Sequence, residues 1–197
     1  MKLINNLDIK YISFNETGTY PLQSIIENMN TNEEKHILLE RYTPFFKDLS
    51  LNKNGNHIIE KSLNNLTYEY MFIFYDIIID NYVSFANNQY GIKIIKLYAK
   101  QVGYNQSSLE MKKNFELFEI ELFKNIEDLI NHEFGNYLIQ TVIIEWKILY
   151  SWKIVDFYEN RLLELSMNKY SSNVLEKLIF KLEDVRYILL HNIILNI

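Results

Sequence analysis

The 197-residue chain contains no cysteine. That absence excludes a disulfide framework, a thiolate zinc site and a Cys nucleophile together, and it fits a reducing compartment. Proline occurs twice and glycine five times. So few breakers leave little room for the turn-rich punctuation of an all-β sandwich or barrel; helices joined by short polar turns fit better. Long apolar runs are lacking as well. The most apolar stretches, Met71 to Ile79 and Tyr187 to Ile197, are short, and Asp76 or His191-Asn192 interrupts them. Neither has the length of a bilayer span. Met1-Lys2-Leu3-Ile4-Asn5-Asn6-Leu7-Asp8 has no apolar core of a signal peptide. A soluble, cytoplasmic protein is the expectation.

Reactive constellations are missing too. Ser171-Ser172 lacks a Gly-x-Ser-x-Gly frame, and no P-loop or Gly-x-Gly-x-x-Gly occurs. Carboxylate pairs such as Glu119-Glu121 or Glu183-Asp184 are sequence neighbours that diverge on a helix surface. His36, His57, His132 and His191 are scattered without an HExxH pattern. His132 falls in a turn and is expected to be exposed. We therefore expect no catalytic residues, no metal, no cofactor and no small-molecule substrate.

What is present is a repeat. Hydrophobic residues make up 48% of the chain, enough for a sizeable core, and the net charge is −5. Five segments align: Gly18-Thr19-Tyr20-Pro21-Leu22-Gln23, Gly55-Asn56-His57-Ile58-Ile59-Glu60, Gly91-Ile92-Lys93-Ile94-Ile95-Lys96, Gly135-Asn136-Tyr137-Leu138-Ile139-Gln140 and Ser171-Ser172-Asn173-Val174-Leu175-Glu176. Their second residues, 19, 56, 92, 136 and 172, are spaced by 37, 36, 44 and 36. A period near 36 with one longer gap marks a helical solenoid. The extra residues fall around Gln101 to Lys113.

Each unit reads as a helix, a polar turn and a second helix opened by the motif. Glu116 to Leu129 has a helical apolar period in Leu117, Phe118, Ile120, Leu122, Phe123, Ile126 and Leu129. Asn131 to Gly135 then turns the chain. In the next helix Leu138, Ile139, Val142 and Ile143 form an apolar stripe. Asn136, Tyr137 and Gln140 lie on the other side, at i, i+1 and i+4 within one arc of roughly 100°. Every repeat so presents three side chains at one place. An Asn in a first helical turn also caps, so the triplets are equally legible as solvated helix-face positions.

Gly55 to Lys61, Phe134 to Gln140 and Tyr170 to Lys177 resemble the core motifs of the Pumilio (PUF) repeat family, in the order of the fourth, sixth and seventh repeats of an eight-repeat array. The Thr19 and Ile92 units would be the third and fifth. The likeness covers roughly residues 10 to 180. It implies an all-α fold: a right-handed, crescent-shaped α-solenoid of Pumilio-type helical repeats, forming a single domain over 1–197. Motif helices are expected near 18–27, 55–64, 91–100, 135–146 and 171–181, with a terminal cap over 185–197 and no eighth repeat.

The resemblance further implies single-stranded RNA on the concave face, antiparallel to the protein, one base per repeat. In the family the first and third triplet members address a base edge and the middle one stacks. Ser172 and Glu176 match the guanine reader, because a carboxylate accepts from guanine's N1 and N2 donors; Asn173 adjoins. Asn136 and Gln140 match the uracil reader, with Tyr137 stacking. Thr19 and Gln23 resemble the adenine pair beside Tyr20, with Pro21 tolerable only in a first helical turn. Asn56 and Glu60, with His57 stacking, mix half of the uracil pair with half of the guanine pair and leave both bases open. Ile92, Lys93 and Lys96 match no reader. The implied register is 5′-G-U-N-(U or G)-A-3′.

The implied role is binding of messenger RNA 3′ untranslated regions in post-transcriptional regulation, including translation repression, with repression or decay factors as partners and no membrane. Two alternatives stay open. One is a degenerate helical-repeat scaffold for protein–protein interaction, which the acidic charge favours because phosphate contacts call for a basic surface. The other is non-selective RNA binding in ribosome assembly, with a nucleolar location. Lys61, Lys93, Lys96, Lys169 and Lys177 clustered along the concave groove, with the acids on the convex side, would remove the charge objection.

Overall fold

A computed structural model describes residues 8–65, 72–104, 108–158, 161–184, 186, 187 and 191. Among them every regular element is helical and no strand occurs. The residues of the 185–197 cap lie largely outside this range. The chain divides into two compact units, Met1–Tyr98 and Ala99–Ile197, the boundary falling within the helix Gly91–Tyr104. No described helix is long and apolar enough to cross a membrane.

In the first unit, helices Ile9–Phe14, Thr19–Glu27, Asn32–Tyr42, Phe46–Ser50, Gly55–Asn65, Tyr75–Asp80 and Tyr82–Ala86 precede Gly91–Tyr104. The second continues with Leu109–Lys124, Ile126–Asn131, Asn136–Glu145, Ile148–Tyr158, Leu162–Met167 and Ser171–Lys181. Start signals are local. Thr31 and Glu34 close a capping box at Asn32–Tyr42, and the Ser108 hydroxyl accepts from Met111 N–H at 3.1 Å. The two hydrogen bonds from Thr31 hold the Glu34 carboxyl below its usual range. Pro21 stands third in Thr19–Glu27, inside the first turn where its missing N–H costs nothing.

The repeat is more segmented than a helix, a turn and a helix. A short helix stands before each of the five motif helices: Ile9–Phe14, Phe46–Ser50, Tyr82–Ala86, Ile126–Asn131 and Leu162–Met167. The continuous helix expected over 116–129 breaks at Asn125 (φ −105°, ψ 12°). The cause is a side-chain cap: the Asn125 amide donates to the Glu121 carbonyl at 2.8 Å, as the Asn81 amide does to Ile77 at 2.8 Å. Of its apolar residues Phe118, Leu122, Ile126 and Leu129 are buried, while Leu117 and Ile120 remain exposed. The additional residues of the longer repeat extend two helices. The motif helix Gly91–Tyr104 has 14 residues and Leu109–Lys124 has 16, against 11 in Asn32–Tyr42 and Ile148–Tyr158.

Aromatic clusters hold each unit. In the first, Phe46 stacks on Phe74 at 4.0 Å between centroids and meets Phe85 edge-on at 6.3 Å. In the second, Trp146 sits among Phe115, Phe118 and Tyr150 at 4.6, 6.1 and 5.1 Å. Its indole N–H donates to the Ala99 carbonyl at 2.9 Å. Within each unit two motif helices lie side by side: Thr19–Glu27 against Gly55–Asn65, and Asn136–Glu145 against Ser171–Lys181. Ion pairs and side-chain bonds join neighbours: Lys61 to Glu27, Lys181 to the Ile144 carbonyl at 2.9 Å, and Arg161 to Glu127 at 2.8 Å.

Candidate nucleic-acid interface

Each motif helix is launched by the same turn. A side chain three residues before the small residue accepts from two successive backbone N–H groups, as an Asx turn does. Asn15 accepts from Thr17 and Gly18 at 3.0 and 2.9 Å, Asn52 from Asn54 and Gly55 at 2.9 and 3.1 Å, and Asn88 from Tyr90 and Gly91 at 2.8 and 3.0 Å. Asn168 accepts from Tyr170 and Ser171 at 2.9 and 3.3 Å. In the remaining repeat His132 does so through Nδ1, from Phe134 and Gly135 at 3.1 and 3.2 Å. The exposed-turn expectation for His132 is therefore corrected: it is half-buried because its ring replaces the asparagine of the other turns. These five positions carry the repeat period themselves. An Asn-x-x-Gly spacing recurring with the motif would have disclosed three of them, and Asn-x-x-Ser the fourth, at Asn168.

His132→Asn is expected to be neutral within about 0.5 kcal/mol, whereas His132→Ala should cost about 0.5–2 kcal/mol, the usual worth of a lost cap. Urea denaturation of the two variants checks this.

The small residue after the turn is required by a close approach, not by backbone angle. No described residue has positive φ. A Cβ on Gly18, Gly55 or Gly91 would lie 2.7–2.8 Å from the carbonyl oxygen of Ile12, Leu49 or Phe85, six residues earlier. In the last repeat the Ser171 hydroxyl donates to the equivalent Leu165 carbonyl at 2.5 Å, and Tyr158 OH donates to the Ser171 carbonyl at 2.8 Å. Burial pushes the Tyr158 phenol above its usual range, so it stays a donor.

Of each triplet, the second side chain is the most open. Tyr20 is 67% and Tyr137 46% exposed, and His57, Lys93 and Asn173 are exposed as well. The fifth position is half-buried in Gln23, Glu60, Lys96 and Gln140 and exposed in Glu176. Burial lowers the Lys96 ammonium from its usual range. The first position is the least open: Thr19, Asn56, Ile92 and Asn136 are buried and Ser172 is half-buried.

The polar first-position side chains all donate backwards. Thr19 and Ser172 hydroxyls donate to the Glu16 and Lys169 carbonyls at 2.9 and 3.2 Å. The Asn56 amide donates to Asn52 and Lys53 carbonyls at 2.8 and 2.7 Å; that of Asn136 donates to His132 and Glu133, both at 2.8 Å. Capping therefore occupies their donors, and what each can turn outward is oxygen. Gln140 uses that oxygen, its Nε2 donating to Asn136 Oδ1 at 2.8 Å. Residues 51–65, 87–101 and 131–145 repeat one pattern of burial residue by residue, so Ile92, Lys93 and Lys96 occupy the same places as their counterparts.

Charge is unevenly distributed. The five motif helices carry six lysines (Lys61, Lys93, Lys96, Lys100, Lys177 and Lys181) against four carboxylates, Glu27, Glu60, Glu145 and Glu176, so the acidic excess belongs to the rest of the chain. Lys169, in the last turn, lies over the Tyr170 ring. Among the described residues no cluster of His, Asp or Glu could hold a metal ion.

A profile of the Pumilio-family RNA binding repeat matches residues 46–79, 125–146 and 161–194. These segments contain the Asn56, Asn136 and Ser172 motifs. Pumilio homology domain family member 4 of Saccharomyces cerevisiae is 32% identical over 152 residues, which cover 75% of this chain and 16% of that protein. Pumilio homolog 12 of Arabidopsis thaliana is 31% identical over 180 residues, covering 89% of this chain and 28% of that one. The Puf4 RNA binding domain, solved bound to the HO endonuclease RNA 3′ UTR recognition sequence, matches with a TM-score of 0.81 at 30% identity. That match covers 96% of this chain and 57% of the solved one. The chain thus spans less than a third of these curated relatives. By the matched repeats, the identity to these relatives and the shared helical architecture, the chain belongs to the Pumilio (PUF) family of α-solenoid repeat proteins.

Proposed function

We propose that this chain binds single-stranded RNA with a sequence bias, one base per motif helix. The observation that carries the reading is the shared layout of the triplets: an exposed second side chain in every repeat, beside a fifth one that is half-buried in four repeats and exposed in the last. Tyr20, His57 and Tyr137 offer ring faces, and such platforms contribute about 1–3 kcal/mol per base. Lysines of the motif helices attract phosphate, so the net charge of −5 does not oppose binding there.

Base choice follows from which hydrogen-bonding groups remain. Glu176 offers only acceptors, and the Ser172 hydroxyl proton is engaged with Lys169, so this pair suits guanine's N1 and N2 donors. Gln140 keeps one N–H and its Oε1 after bonding Asn136, a donor beside an acceptor that suits uracil. Ile92 has no polar group and Lys93 no ring, so the middle base is weakly discriminated. The register remains 5′-G-U-N-(U or G)-A-3′, with Thr19 and Gln23 at the adenine. By likeness to relatives solved on 3′ UTR sequences, the targets are messenger RNAs, the setting is cytoplasmic post-transcriptional regulation, and repression or decay factors are the partners.

Fluorescence anisotropy near physiological salt tests this. A short RNA containing UGU should bind, and replacing its G by A or C should weaken binding by roughly tenfold or more, the worth of one good base contact. Equal binding of all three RNAs favours the non-selective reading. Absence of binding to any of them favours the protein scaffold.

A further inference from the structure

Asn54 stands where the other launching turns carry Thr17, Tyr90, Phe134 and Tyr170, immediately before the small residue. Its side chain ties two repeats together: Nδ2 donates to the Phe14 carbonyl, 40 residues earlier, at 2.8 Å. Phe14 ends the short helix Ile9–Phe14, so the bond runs from one launching turn to the helix that leads into another. Asn54 is also followed by Gly55, and this is the one Asn-Gly pair in the sequence. Such a pair is chemically labile. With no Cβ on the following residue, the glycine nitrogen can approach the asparagine side-chain carbonyl carbon without hindrance.

The closed turn holds the two groups out of reaction. Gly55 N–H donates to Asn52 Oδ1 at 3.1 Å, so the nitrogen that would attack is engaged. The Asn54 amide is half-buried and held on Phe14. Gly55 is buried, and a Cβ there would lie 2.8 Å from the Leu49 carbonyl oxygen, so its backbone has little room to swing. We infer that Asn54–Gly55 is a latent site of spontaneous deamidation, shut while the launching turn is closed, whose conversion unties the Asn56 repeat from the one before it. When the turn opens, the Gly55 nitrogen gives up its proton to water and attacks Asn54 Cγ. The bond from Cγ to the side-chain nitrogen breaks, and ammonia leaves. The cyclic imide so formed adds water at either carbonyl and yields aspartate or isoaspartate, with no oxidation or reduction. Either product replaces the amide by a carboxylate, which has no proton for the Phe14 carbonyl and faces it acceptor to acceptor. Isoaspartate also routes the backbone through Cβ, one methylene longer, where Gly55 already packs on Leu49. Reclosing the turn does not restore the amide.

The chain is aged at mildly alkaline pH, folded and in guanidinium chloride, and conversion at Asn54 is followed by peptide-mapping mass spectrometry. Conversion should be slower in the folded chain by roughly tenfold or more, because it waits on local opening of the turn. Asn52→Ala frees the Gly55 N–H and should speed conversion in the folded state; circular dichroism checks that this variant folds. If it does not fold, the comparison of folded and denatured wild type decides alone. Asn54→Asp installs the product carboxylate directly and should unfold at a lower urea concentration than the wild type. Equal conversion rates in the folded and denatured chain would show that the turn does not guard the pair. An Asn54→Asp variant as stable as the wild type would show that conversion unties nothing. Either result overturns the proposal.

Discussion

Trp146→Ala is expected to lower stability by about 3–5 kcal/mol, the range for deleting a fully packed aromatic side chain. Trp146 is 3% exposed and touches Phe115, Phe118 and Tyr150. Its indole also packs against a glycine: a Cβ on Gly103 would come within 2.5–2.6 Å of the ring's Cδ1 and Nε1. The alanine variant therefore leaves a hole with a bare backbone on the Gly103 side. It also removes the donor to the Ala99 carbonyl. Trp146→Phe separates these effects, retaining much of the packing while losing the hydrogen bond, and should cost about 1–3 kcal/mol. Urea denaturation followed by circular dichroism measures both. A loss below about 1 kcal/mol for the alanine variant would mean that the second unit does not depend on this cluster.

The second large effect is a change of base. Ser172→Asn together with Glu176→Gln should move the preference at the first RNA base from guanine to uracil. Both positions are on the surface of Ser171–Lys181, half-buried and exposed respectively, so the exchange touches no core contact. The substituted asparagine should donate to carbonyls of the 168–171 turn, as Asn136 does to His132 and Glu133. Its oxygen would then take one proton of the new glutamine and leave that glutamine with a donor and an acceptor outward. The preference for G over U should fall by roughly tenfold or more and then invert. Unchanged relative binding of the two RNAs would show that these side chains do not face the base.

How much of the site was legible beforehand differs by position. The triplets were found from their period, because a solenoid repeats its sequence wherever it repeats its packing. Family likeness implies a stacking role for Tyr20 and Tyr137, and their exposure is compatible with it. The meaning of the first position was not legible. Asn56 and Asn136 each look like one half of a base reader in sequence, yet their amides point back into the launching turn. Whether a side chain caps its own helix or faces a ligand depends on where the preceding carbonyls lie, and a sequence does not state that. The same holds for His132, read as an exposed turn residue and found as the substitute for four asparagines. Its role appears only when its Nδ1 is set beside two backbone N–H groups.

The sequence by itself determined the class of the fold and the place of each motif helix: scarce breakers, a helical apolar period and a spacing near 36 residues admit little else. Local hydrogen bonds also decided the capping box of Thr31 and Glu34, whose partners are three residues apart. Only the tertiary structure decided the rest. The close approach at Gly55 depends on the Leu49 carbonyl beneath it, and the slot for Trp146 on Gly103, more than forty residues away. The buried oxygen of Asn56, with no partner among the described residues, depends on the turn that holds its amide. Period and propensity are properties of a segment, whereas burial and unsatisfied polarity are set by what surrounds it.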